Sequence, residues 1–146
     1  MTRGMTHFND GKYKRAARDF RRHLKFSGDD LYRMMWLSLA VDRQGGNGRA
    51  ELGEYAAASD RQSWPRPLVD MYLGQKSPEA VLASLENDRS RGANERRCEA
   101  YFFIAQWHSA KGDEATARQY FQKTVDTEVR GFMEYASAKL ALNRTR

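Results

Sequence analysis

Apolar side chains recur along this chain at three- and four-residue spacing, the period of a helix with one buried face. Tyr13, Ala16, Ala17, Phe20 and Leu24 form such a set within residues 12–26. Near the end, Phe132, Tyr135, Ala136 and Leu140 are expected to share a packed face, with Glu134, Ser137 and Lys139 expected to turn outward. No segment alternates apolar and polar residues as a half-buried strand does. The pattern predicts helices over 2–9, 12–26, 31–44, 49–58, 64–73, 78–87, 94–111, 114–127 and 132–142. Ser77-Pro78-Glu79 reads as an N-cap followed by proline in the first helical position. Asp113 reads as another cap, and Gly112 as the stop before it.

The glycines set these helices into pairs. Gly11 and Gly45 are 34 residues apart, and Gly112 lies 67 further on. Five residues after each comes an alanine, Ala16, Ala50 or Ala117. Four further on stand Phe20, Glu54 beside Tyr55, and Phe121. Small residues at helix crossings with a period near 34 resemble tetratricopeptide repeats. The expected fold is all-α: a right-handed solenoid of antiparallel hairpins over 2–26, 30–58, 64–88 and 94–127, closed by a capping helix at 132–142. The chain is expected to form a single such domain over 1–146. Only ten residues precede Gly11, where a repeat would have about fourteen, so the first hairpin is expected to be incomplete or the chain to be a piece of a longer protein.

The order of motifs adds a more specific likeness. Gly11-x-Tyr13-x-x-Ala16, the Trp36-Leu37 helix, Trp64, Met71-Tyr72-Leu73-Gly74 before Ser77-Pro78-Glu79, Glu99-Ala100-Tyr101-Phe102, Lys111-Gly112-Asp113 with Ala117 and Phe121, and Phe132-x-Glu134-Tyr135 follow one another. Together they resemble the C-terminal part of the bacterial NlpI lipoprotein family. The resemblance implies a helical adaptor of the cell envelope, with a hydrolase or a protease as partner and a homodimer as an expected state. The family's lipid-anchor cysteine and leading helices have no counterpart here. The resemblance therefore implies a periplasmic or outer-membrane setting for a fragment, whereas a complete chain reads as cytoplasmic.

Charge gives a second surface to consider. The net charge is +6. Lys14, Arg18, Arg21 and Lys25 fall on one helical face, with Arg15 and Arg22 alongside. Such a stripe suits solvent, an acidic protein partner, or the phosphates of an anionic polymer or nucleic acid. It lacks the interleaved aromatics that stack on single-stranded bases. No apolar run approaches the ~20 residues that span a bilayer.

Little in the sequence points to catalysis, and the expectation is a protein that is not an enzyme and takes no cofactor or metal. His7, His23 and His108 show no ligand spacing with one another or with Cys98. Cys98 stands alone and reads as a small buried apolar residue. Gly45-Gly46-Asn47-Gly48 lies between helices, which makes it a turn and not a phosphate loop. The first helix of each tetratricopeptide repeat lines a concave groove. Offsets from the glycines place Met5, Phe8, Tyr32, Met35, Leu39, Arg43, Trp64, Leu68, Met71, Glu99, Phe102 and Gln106 there. That stripe reads equally as a partner-binding groove and as a face packed on another helix or a second copy. The expected function is a non-catalytic adaptor that holds a protein or peptide partner in the groove, the alternative being an anionic polymer or nucleic acid bound by the basic helix.

Overall fold

The computed structural model describes residues 2–144, and these contain helices and no strand. In chain order the helices are α1 Arg3–Asn9, α2 Tyr13–Leu24, α3 Leu31–Arg43, α4 Gly48–Ala57, α5 Arg66–Tyr72, α6 Pro78–Glu86, α7 Ala93–Ala110, α8 Glu114–Asp126 and α9 Met133–Arg144. They divide into two compact units, Met1–Gln75 and Lys76–Arg146. The expected third hairpin, 64–88, falls across that division.

The local signals place the helix ends. Ser77 accepts a hydrogen bond from the Ala80 amide at 3.1 Å, and Asp113 one from Thr116 at 3.1 Å. Each satisfies one of the amides that a helix leaves open at its start. Gly11, Gly45 and Gly112 close α1, α3 and α7 in the left-handed region, at φ of +74°, +87° and +82°. Any other L-residue would be strained there.

In the first unit α1 packs on α2, α2 on α3, α3 on α4, and α5 on both α3 and α4. The centre is α3, whose residues Leu31 and Met34 to Val41 are all buried. A helix apolar around its whole circumference belongs inside a fold and not on one side of it. Trp36 meets Phe8 of α1 edge-on at 5.1 Å and lies 6.5 Å from Phe20 of α2. In the second unit α7 has the same role, packed on α6, α8 and α9. On α9, Glu134 and Ser137 are buried and Leu140 is exposed, contrary to the expected facing, because α9 packs on both α7 and α8. Phe102 and Phe103 are fully buried in it, with Phe121 of α8 at 6.1 Å from the Phe102 ring.

The turn from α3 to α4 depends on a close approach. Gly48 is the first residue of α4, and its amide donates to Asp42 Oδ1 at 2.7 Å. A Cβ at this position would press on the Ser38 carbonyl oxygen and sit 2.7 Å from Asp42 Oδ1. Alanine would gain up to about 1 kcal/mol of helix propensity over glycine. Forcing the two backbones apart costs about 1–3 kcal/mol. Gly48→Ala is therefore expected to lower the melting temperature, and a thermal scan showing a rise would mean the turn relaxes freely.

Candidate functional site

The inner-wall stripe does not form an open surface. Met35, Leu68 and Phe102 have no exposed area, and Met5, Phe8, Leu39 and Met71 are also buried. Their position within the fold makes them packing residues. Helices α3 and α7 are each covered on several sides, so the offsets from the glycines do not correspond to a bare apolar face on either. Glu99 and Gln106 are buried with them. Among the groove residues only Arg43 is exposed, and Tyr32 and Trp64 are half-buried.

The basic face has the opposite character. Lys14, Arg15, Arg18 and Arg22 on α2 are exposed, as is Lys25 at its C-cap. Among the described residues none of these five forms an ion pair or a side-chain hydrogen bond. Their neighbours on the same helix do. Asp19 receives both forks of Arg3 of α1 at 2.8 and 2.7 Å. Those bonds hold its carboxyl below the usual range. Arg21 donates two bonds to Glu51 of α4 at 2.6 and 2.8 Å, and that pairing raises its own pKa. Arg21 is thus a structural link, while Lys14, Arg18, Arg22 and Lys25 present charge to solvent.

The N-terminal half of this face borders a shallow cleft of about 780 Å³, lined by Tyr13, Lys14, Arg15, Arg18, Arg21 and Gln44 among others. The stripe ends at Phe26, which is 85% exposed. The sequence pattern continues the helix through Phe26, but α2 stops at Leu24 and the ring projects from the turn. Two of the residues that shape the cleft, Gln44 and Tyr13, come from a turn and from the packed side of α2. Helical periodicity marks Tyr13 as a packed residue and gives no signal for Gln44.

The distribution of charge is more telling than its total. Residues 12–25 hold seven basic side chains and one acidic one, a net +6 that equals that of the whole chain. Elsewhere basic and acidic residues balance at eighteen each. The helix dipole suits Arg21, Arg22 and Lys25 at the C-terminal end but does not explain the cations at the other end. Lys14 and Arg15 stand in the first turn of α2, where no acidic residue is present and the helix dipole disfavours cations.

The second unit carries a half-buried aromatic group. His108 stacks on Tyr120 at 5.7 Å, Trp107 meets His108 edge-on, and Lys111 lies over the Trp107 ring at 4.2 Å. Lys123 lies 5.0 Å from the Tyr120 ring. These faces are already covered by one another and by the two lysines. Cys98 is buried, and burial pushes its thiol up to about 11. The thiolate is the reactive form of cysteine. An alkylating thiol reagent at pH 8 is expected to label the native chain slowly, at a rate set by unfolding, and to label the denatured chain at once. Rapid stoichiometric labelling of the native chain would contradict this environment.

Among the described residues no group of His, Cys, Asp and Glu is placed to hold a metal ion, and no helix is long and apolar enough to cross a membrane. No family model matches the chain.

Proposed function

We propose that this chain is a non-catalytic interaction module, a tetratricopeptide-like array of helical hairpins that holds a protein or peptide partner. Pairs of helices joined by positive-φ glycines, α1 with α2, α3 with α4 and α7 with α8, support the repeat reading. Arrays of this kind act by rigid display of side chains, so the mechanism is positioning. The observation that carries the functional reading is the face of α2: unpaired charge, concentrated in one segment and facing solvent. The buried residues of α1 and α3, which pack on α2, hold that helix in place and are proposed not to meet the partner themselves.

The resemblance to the envelope adaptor family makes a hydrolase or a processing protease the partner class to test first. A second reading, an anionic polymer or nucleic acid bound by α2, is favoured by the same concentration of charge. Quantitative co-purification separates the two. The full chain and its Arg18→Glu/Lys25→Glu variant are each recovered from the native host, with and without nuclease. A protein retained by the parent, lost by the variant and indifferent to nuclease is expected. Co-purifying material that disappears with nuclease would favour the second reading, and identical recovery by both chains would exclude α2 as the working surface.

A further inference from the structure

Resting on the reading of α2 as a contact surface, we infer that the segment it receives is an acidic helix, with carboxylates spaced three to four residues apart. Lys14, Arg18 and Arg22 stand at successive four-residue steps, about 6 Å apart along the axis, and Lys25 extends the row. A second helix laid along this one repeats its own side chains at the same interval. Glutamates or aspartates at i, i+4 and i+7 or i+8 would then meet each cation in turn.

The chain already uses this mode of contact on the same helix. Arg3 of α1 clasps Asp19 of α2, and Arg21 of α2 clasps Glu51 of α4, each through two hydrogen bonds between helices. Guanidinium and carboxylate match as planar forks. The outer face of α2 repeats the cationic half of that arrangement without the carboxylates. Phe26, 85% exposed at the C-terminal end of the row, offers an apolar contact to a residue of the incoming helix beyond its acidic run.

Nucleic acid fits less well. Single strands bind on successive aromatic platforms. Here Tyr13 is half-buried with its ring against Phe8 at 5.2 Å, and of the aromatic residues in 12–26 Phe26 at one end is the exposed one. A helix that reads the major groove must protrude into it. Helix α2 is flanked by α1 and α3, both packed on it, and offers a strip.

The test is calorimetric titration of the full chain with three probes. One is a synthetic peptide of roughly four helical turns with glutamates at i, i+4 spacing and a terminal leucine. The second has the same composition in scrambled order, and the third is an oligothymidylate of similar charge. The spaced peptide is expected to bind at one site, at least about tenfold tighter than the other two. Arg18→Glu/Lys25→Glu is expected to weaken it at least about tenfold. Phe26→Ala should weaken it several-fold. The charge-matched control Lys76→Glu/Arg91→Glu, on exposed residues of the other unit, should leave it unchanged.

Equal or tighter binding of the oligonucleotide or the scrambled peptide overturns the assignment, and so does equal weakening by the control. The comparison of the three probes needs no variant, so it stands even if a charge reversal disturbs folding. A protein captured through α2 in the co-purification, with no binding of the spaced peptide, overturns the acidic helix and leaves the interaction module standing. Peptide binding with no protein partner recovered supports the acidic-helix assignment and counts against the adaptor reading.

Discussion

Phe102→Glu is expected to unfold the unit Lys76–Arg146, not to release a partner from an intact surface. The ring has no exposed area and packs edge-on against Phe103 at 5.2 Å. Removing a buried phenylalanine costs about 3–5 kcal/mol. A carboxylate left in its place without a partner adds several kcal/mol more. The total approaches or exceeds the roughly 5–15 kcal/mol that holds a domain together. Circular dichroism and hydrogen exchange across residues 76–144 should show lost helix and lost protection. A cooperative melt near that of the parent would mean that Phe102 reaches solvent and that the groove reading of α7 survives. Leu39→Glu makes the same test in Met1–Gln75, where Leu39 is 3% exposed.

Trp36→Ala is expected to have the next largest effect, about 3–5 kcal/mol. The indole is fully buried and lies against Phe8 and Phe20 at once, so it joins α3 to α1 and α2. Helix α1 has seven residues, too few to persist without packing. The variant should therefore lose protection first at residues 3–9, before the rest of the unit melts. Hydrogen exchange resolved by peptide checks the order. Uniform loss across the unit would mean that α1 is held by other contacts, of which the Arg3–Asp19 pair is the main candidate.

Much of the helical framework is legible in the sequence, because its determinants are local. Gly11, Gly45 and Gly112 sit where only glycine turns the chain cheaply, and Ser77 and Asp113 cap helices within three residues of themselves. The surface is less legible because burial is set by distant segments. The apolar stripe through Met35, Leu39 and Phe102 looks the same in sequence whether its helix is covered on one side or on all. The pairs Arg3–Asp19 and Arg21–Glu51 span 16 and 30 residues, so nothing nearby marks Arg21 as engaged and Arg18 as unpaired. The projection of Phe26 follows from α2 ending at Leu24, a boundary the periodicity does not fix. The concentration of net charge within residues 12–25 needs no structure to be counted. It takes the structure to show that, among the described residues, five of those side chains form no ion pair or side-chain hydrogen bond.

Partner contact is proposed on the exposed face of α2 and not along the buried inner stripe. Photo-crosslinking in the native host tests it most directly, with a photoreactive residue placed at Arg22 on α2, at Arg43 beside the stripe, or at Arg130 as an exposed position in the other unit. A recurrent protein adduct is expected from position 22, weak or absent from the other two. Adducts confined to position 43, or nucleic acid as the species captured at position 22, would contradict it.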